Sequence, residues 1–293
     1  MINTEQNIDK LYKMTEKCEI CPRKCGVNRF KGQKGLCRTA DKIFIASRNV
    51  HTGEEPPISG TKGSGTIFFS NCTLNCVFCQ NYPISRLGNG KEVSADGLVD
   101  IILKLQDKGV HNINFVTPTH YSAQIAEAVY KARLKGLEIP VLSNNSGYEN
   151  VETLRLLEGL IDIYLPDIKY SDNGIAFKYS GVKDYVEANR EALKEMRRQT
   201  GDLKVNDDAI AVKGIIIRHL VLPGNIENTK NALKFIAEDL SKETFVSLMA
   251  QYHTAHKSES FPELSRSLTF DEYNQALCYL EEFGLENGWQ QEL

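Results

Sequence analysis

The sequence lacks any run approaching the ~20 apolar residues needed to cross a bilayer, so no membrane-spanning helix is expected. Its first ten residues are polar and have no apolar core of the kind a secretory signal requires, which points to the cytoplasm. Neither sign of charge is in excess. With 35 basic and 38 acidic residues the formal net charge is −3, which removes any electrostatic reason to expect nucleic acid as a partner. Long-period repeats and low-complexity tracts are also missing. Cysteine is scarce over most of the chain, and seven of the eight fall between Cys18 and Cys79. Without an export signal that clustering reads as metal binding rather than a disulfide framework. The eighth, Cys278, reads as a small buried hydrophobe. At 293 residues, 41% hydrophobic and 25% charged, the chain has the composition of a soluble globular protein with one large domain, or one and a small appendage.

Two cysteine sets stand out. Cys72, Cys76 and Cys79 have C-x3-C-x2-C spacing directly after the strand-like run 65–70. Thiolates are soft ligands suited to iron–sulfur clusters, which normally take four cysteines. Three would leave one iron of a cubane open, and an open position is what makes a metal site catalytic. The alternatives are a turn with chance cysteines, or a zinc loop with its fourth ligand elsewhere. Upstream, Cys18, Cys21, Cys25 and Cys37 are spaced C-x2-C-x3-C-x11-C around proline and glycine turns. Four thiols could close on zinc or on a second cluster, a complete ligand set that is normally structural or electron-transferring; the alternative is reduced thiols in a loosely packed arm. The interleaved Arg23, Lys24, Arg29, Lys31 and Lys34 read as a solvated face.

From Gly65 onward, short β-branched runs alternate with amphipathic stretches, the pattern of repeated βα units. Strands are expected over 65–70, 112–116, 140–143, 161–165, 212–217 and 245–249, and helices over 96–108, 122–134, 150–157, 185–198, 226–240 and 271–283. Six such units fit a partial TIM-type (β/α)6 barrel in an α/β fold with a small N-terminal cysteine-rich segment. The division expected is a cysteine-rich segment over 1–60, the barrel over 61–260, and a closing helix and tail over 261–293. In a parallel barrel the active site lies at the carboxyl ends of the strands. Polar residues gather there after five strands: Thr117-Pro118-Thr119-His120, Ser143-Asn144-Asn145, Asp167-Ile168-Lys169, Arg218-His219 and Gln251-Tyr252-His253.

The Cys72–Cys79 segment, with Phe78 before the third cysteine, resembles the signature of the radical S-adenosylmethionine (SAM) superfamily. The resemblance implies that Cys72, Cys76 and Cys79 hold a [4Fe–4S] cluster whose fourth iron chelates the amino and carboxylate groups of SAM. An electron from the cluster then cleaves SAM to methionine and a 5′-deoxyadenosyl radical, which abstracts hydrogen from a substrate. From about Gly65 to Lys257 the chain is similar to pyruvate formate-lyase activating enzymes. Asp167-Ile168-Lys169 resembles their Asp-x-Lys element near the SAM carboxylate. Arg218 with Pro223-Gly224 resembles their fifth-strand Arg and Pro-Gly, and Tyr252-His253-Thr254 their sixth-strand Tyr-His-Thr, which puts His253 near SAM.

Two departures stand beside these matches. The Gly-Gly-Glu that contacts the methionyl amine is replaced by Thr117-Pro118-Thr119, and Pro118 has no N–H, so carbonyls or the hydroxyls of Thr117 and Thr119 would have to serve. Asn144 stands where activating enzymes carry an acidic residue, which weakens an inherited cation site. The variant motif, the N-terminal cysteines and the tail Phe261-Pro262-Glu263-Leu264-Ser265-Arg266 resemble an activating-enzyme-like branch. The family implies an electron donor such as flavodoxin or ferredoxin. Hydrogen abstraction from a glycyl radical enzyme or peptide, the same chemistry on a small molecule, and a non-catalytic electron-transfer or SAM-binding role are the functions to separate.

Overall fold

The computed structural model describes residues 3–292. Ten strands form one sheet: β1 (Ile43–His51), β2 (Ser64–Phe69), β3 (Lys91–Val93), β4 (Ile113–Val116), β5 (Val141–Asn145), β6 (Ile163–Pro166), β7 (Lys204–Val205), β8 (Ala211–Leu220), β9 (Phe245–Met249) and β10 (Gly288–Gln290). The order β10-β9-β8-β6-β5-β4-β2-β1-β3 leaves the sheet unclosed, with β7 appended to β8. Every neighbouring pair from β2 to β10 is parallel. The six expected strands are therefore the curved parallel wall of a partial TIM-type barrel. Its edges are extended by β10 on one side and by antiparallel β1 and β3 on the other.

Among the described residues ten α-helices accompany the strands: α1 (Thr4–Glu16), α2 (Pro56–Ser59), α3 (Tyr82–Ser85), α4 (Ala95–Gln106), α5 (Ser122–Leu134), α6 (Val151–Leu156), α7 (Asn173–Ser180), α8 (Tyr185–Thr200), α9 (Ile226–Phe235) and α10 (Phe270–Phe283). The crossover helices start where local chemistry permits. Ser94 caps α4 by accepting from Gly97 N–H, Asn150 caps α6 through Glu152 N–H, and Thr269 with Glu272 closes a capping box on α10. Helix α4 buries Leu98, Ile101, Ile102 and Leu105, which recur at helical spacing, against the sheet. Past α9 the chain loosens into a π-type turn over Ile236–Leu240, so the expected helix 226–240 ends in two geometries.

Two expectations are corrected, the buried place of Cys278 and the solvated face of the basic residues. Cys278 is exposed rather than buried, because the inward face of α10 is Tyr273, Ala276 and Leu280, and position 278 falls on the far side. Arg29 does not join a solvated face; it is fully buried. Arg23 is half-buried and donates to the carbonyls of Thr73 and Gly181 at 2.8 and 2.9 Å. Lys24, Lys31 and Lys34 are exposed as expected. The first sixty residues are also wired into the sheet: β1 pairs with β2 from His51↔Ser64 to Ile45↔Phe69, and α1 packs on α5 and α6. No helix among the described residues is long and apolar enough to cross a membrane.

Candidate active site

A cavity of about 420 Å³ opens at the carboxyl ends of the parallel strands. Cysteines enter it first. At the end of β2, Asn71 adopts φ 72°, a left-handed conformation that asparagine tolerates, and turns the chain into the cysteine loop. Cys72, Cys76 and Cys79 are half-buried and all line the cavity. Each sulfur has one polar neighbour: Leu74 N–H donates to Cys72 Sγ at 3.4 Å, and the Ser180 hydroxyl to Cys76 Sγ at 3.0 Å. The Ser85 hydroxyl lies 3.1 Å from Cys79 Sγ. Burial pushes the Cys72 thiol up to about 12 and raises Cys76 against the pull of the Lys169 ammonium. A bound metal centre would supply positive charge that favours the thiolates against this burial. Phe78 backs the loop, its ring packed on Tyr179 and Tyr252 with centroids 6.5 and 6.2 Å away.

Charged groups meet the thiols from the strands opposite. The β6–β8 pairing continues past β6 as a bridge between Asp167 and Arg218, so register alone sets these two side by side. Asp167 Oδ1 accepts from Arg218 Nε at 3.1 Å, and Oδ2 accepts from Lys169 Nζ at 2.6 Å. Arg218 Nη2 donates to Asn144 Oδ1 at 2.7 Å, and its Nη1 lies 3.5 Å from Glu54 Oε2. Burial alone would raise Asp167, but the Lys169 and Arg218 cations outweigh it and hold its carboxyl below the ordinary value. Lys169 is raised: burial disfavours its charge, and the Asp167 carboxylate more than restores it. Helix α8 fixes this row from behind, Asn189 Nδ2 donating to the Gly147 and Asp167 carbonyls, both at 3.1 Å.

Of the residues picked out by sequence, Cys72, Cys76, Cys79, Phe78, Thr117, Asn144, Asp167, Lys169 and Arg218 all line this cavity. Thr117 sits at φ 59°, unusual for a β-branched residue, and its N–H donates to Asn144 carbonyl at 2.8 Å. Two others lie elsewhere. Thr119 begins a 3₁₀ turn that swings its side chain into the barrel wall, where its hydroxyl donates to buried Glu149 at 2.5 Å. His253 is exposed and is not part of the cavity lining. The strand-end histidines His120 and His219 are buried, contact the Ser70 and Ile168 carbonyls, and are pushed by burial down to about 3 and about 4. They serve as neutral scaffold groups.

Sequence reasoning missed an acidic pair. Glu54 and Glu55, between β1 and α2, reach the cavity. Glu54 is raised by burial, against the pull of Arg218, and accepts from Asn114 Nδ2 at 3.0 Å. Glu55 is 2% exposed, and its Oε2 has no hydrogen-bond partner among the described residues. The adjacent carboxylates before Pro56-Pro57 were the available signal. The C-terminal Trp289 and Gln291 complete the lining.

A thiol triad on a loop after the first parallel strand, facing a carboxylate–cation row at the carboxyl ends of the later ones, is the layout of one enzyme superfamily. Its profile matches residues 66–236. The chain belongs to the radical SAM superfamily. The chain is also 31% identical over 279 residues to the uncharacterized protein MJ0674 of Methanocaldococcus jannaschii, covering 92% of this chain and 75% of that one.

Among solved structures, Streptococcus suis SuiB bound to precursor peptide SuiA superposes with TM-score 0.52 at 13% identity, over 76% of this chain and 47% of SuiB. Methylornithine synthase (PylB) gives 0.52 at 14%, over 78% of this chain and 70% of that one. At such identities the likeness shows a shared fold, and the chain spans less than half of SuiB's length. Radical SAM proteins work with a [4Fe–4S] cluster and SAM, and SuiB has been solved with SAM bound. The donor set here fits both groups. Among the residues lining the cavity the cysteines are three, which would leave one iron of a cubane open, and the unpartnered Glu55 Oε2 would offer an acceptor for an ammonium group.

Proposed function

We propose that this radical SAM protein cleaves SAM reductively in the cavity and abstracts hydrogen from a peptide or protein segment, in the manner of a glycyl-radical activating enzyme. The observation that supports this most is the convergence of Cys72, Cys76 and Cys79 with Asp167, Lys169, Arg218 and Asn144 on one cavity. Cluster and SAM together would supply the radical chemistry, and the protein's own residues bind and orient. Cys72, Cys76 and Cys79 would hold three irons. Lys169 spends one of its three N–H donors on Asp167 and has the others for the SAM carboxylate, a charge-assisted contact. Arg218 spends three of its five N–H donors on Asp167, Asn144 and Glu54 and acts by holding that row together. Glu54 and Glu55 stand in for the missing Gly-Gly-Glu as the acidic partner of the methionyl amine. Thr117 closes the side of the cavity nearest β4.

The peptide reading draws support from the fold shared with peptide-bound SuiB, and from a cavity that lies in the range filled by one cofactor-sized ligand. A substrate would then approach through the open mouth. Likeness to methylornithine synthase supports the alternative, a small-molecule substrate. The electron would come from a low-potential donor such as flavodoxin or ferredoxin.

The test is anaerobic reconstitution with iron and sulfide, followed by dithionite and SAM and an assay for 5′-deoxyadenosine. The expected result is product from the wild type and none from the triple Cys72/Cys76/Cys79→Ala variant. A reducible cluster that gives no product would overturn the reading. Deuterium transfer into 5′-deoxyadenosine from labelled peptide or metabolite pools then separates the two substrate classes.

A further inference from the structure

The N-terminal cysteines lie outside the SAM cavity, and the fold assembles them with care. Cys18, Cys21 and Cys37 are buried and Cys25 half-buried. The loop that carries them is pinned by Cys18 N–H to Val27 carbonyl at 2.9 Å and Gly26 N–H to Cys18 carbonyl at 3.0 Å. A Cβ at Gly35 would stand 2.4 Å from Cys25 Sγ, so a side chain there would displace that sulfur.

Beside them lies a buried cation with no carboxylate. Arg29 is 1% exposed, forms no salt bridge among the described residues, and leaves its Nε without a partner. Its Nη1 donates to the His120 carbonyl, and its Nη2 lies 3.5 Å from Cys37 Sγ. A guanidinium so deeply buried calls for a counter-charge. Neutral thiols supply none, whereas thiolates around a metal centre do.

Among the described residues no three Cys, His, Asp or Glu side chains converge on the position of a single metal ion. That holds equally for Cys72, Cys76 and Cys79, where the superfamily places a cubane. A cubane gives each thiolate its own iron, so its ligands stand wider apart than four sulfurs around one zinc at ~2.3 Å.

The two cysteine sets are tied together. Arg38, next to Cys37, donates to the Ser85 and Arg86 carbonyls, and the Ser85 hydroxyl lies 3.1 Å from Cys79 Sγ. Arg23, between Cys21 and Cys25, donates to the carbonyl of Thr73, the neighbour of Cys72.

We propose that Cys18, Cys21, Cys25 and Cys37 hold a second, fully ligated iron–sulfur cluster that passes single electrons to the cluster at Cys72, Cys76 and Cys79. The relay part rests on the radical SAM reading above. A complete ligand set leaves no iron open to substrate, so the site transfers charge only: one electron enters from a low-potential one-electron donor, one leaves, and no bond is made. Arg29 is its positioning and charge-compensating residue.

The test uses the full chain, reconstituted anaerobically as wild type, as Cys18→Ser/Cys21→Ser, and as Cys72/Cys76/Cys79→Ala. It reads iron, sulfide and zinc content and the electron paramagnetic resonance (EPR) of the dithionite-reduced proteins. Two cubanes give about eight irons in the wild type and about four in each variant. The triple variant's signal should ignore added SAM, and the double variant's should shift with it. The wild-type spectrum should be broadened by coupling between the two spins. Zinc in place of iron in the triple variant, no metal there at all, or a wild-type spectrum equal to the sum of the two variants would overturn the proposal. If only the radical SAM reading were wrong, the triple variant would keep its iron while the double variant ignored SAM. Arg29→Gln should lower the reduction potential of the triple variant's cluster, because a positive charge beside it is lost; an unchanged potential would remove Arg29 from the account.

Discussion

Asp167→Asn probes the row of charges opposite the thiols. Asp167 is the shared anion of two cations, 2.6 Å from Lys169 and 3.1 Å from Arg218, with all three side chains no more than 20% exposed. Asparagine keeps the shape and one acceptor oxygen but removes the charge, leaving Lys169 and Arg218 buried side by side. Breaking a buried pair by deleting one partner costs about 3–5 kcal/mol, because the survivor is left uncompensated. Glu54 and Asn144 still hold Arg218, so the lower end of that range applies. A loss of about 3 kcal/mol lowers the melting temperature of a domain this large by roughly 5–12 °C. The folded-state pKa of Asp167 is depressed, so its contribution is present above the unfolded carboxylate value and is lost as pH falls through the lower folded one. The wild-type–variant difference should therefore be full at pH 7 and shrink only in strong acid. The assay is urea unfolding of cluster-free protein at several pH values, with Lys169→Met added in a double-mutant cycle. Removing the stranded ammonium should return about 1 kcal/mol or more of what Asp167→Asn lost. A single-variant loss under about 1 kcal/mol, additive with Lys169→Met, would refute the reasoning.

Glu149 should make the protein less stable at alkaline pH. Burial raises its carboxyl to about 8 from an ordinary 4.5, so its contribution is full below the unfolded value and is lost as pH rises through the folded one. Glu149→Gln should remove up to about 4 kcal/mol of the stability difference between pH 5 and pH 8, read by urea titration at both. Gly147→Ala should cost about 1–3 kcal/mol and weaken SAM binding in a calorimetric titration. There φ is +68° and a new Cβ would stand 2.2 Å from the Asp167 carbonyl, forcing the row out of register. Ser180→Ala deletes the hydroxyl 3.0 Å from Cys76 Sγ, and spectroelectrochemistry should show the SAM-site cluster becoming harder to reduce.

The parallel wall was legible because each of its strands is a short apolar run followed by a helix with one apolar face, patterns set by local periodicity. Strand β1 was not, because only Ile43 and Ile45 alternate inward before the polar stretch from Ser47 to Asn49, whose partners come from β2. Strand β10 is three residues long and exists only because Val246, Ser247 and Leu248 offer it a parallel edge. Site residues followed the same division. Cys72, Cys76, Cys79, Asp167, Lys169 and Arg218 announced themselves by spacing or by position at a strand end. Glu54 and Glu55 did not, since their place over the cavity follows from the β1–β2 pairing. Thr119 stood at a strand end in sequence but is carried into the wall by the 3₁₀ turn it begins. Arg29 looked like surface charge because nothing local says that a basic residue among cysteines will be enclosed.

Binding of SAM through its amine and carboxylate to an iron left open by Cys72, Cys76 and Cys79 can be read by electron–nuclear double resonance on the reduced Cys18→Ser/Cys21→Ser protein, with SAM labelled by ¹⁵N at the amine and ¹⁷O at the carboxylate. Direct nitrogen and oxygen couplings to the cluster spin are the predicted result, with the oxygen coupling strongly weakened in Lys169→Met. A cluster signal that carries neither coupling, in protein that binds SAM by calorimetry, would contradict the account.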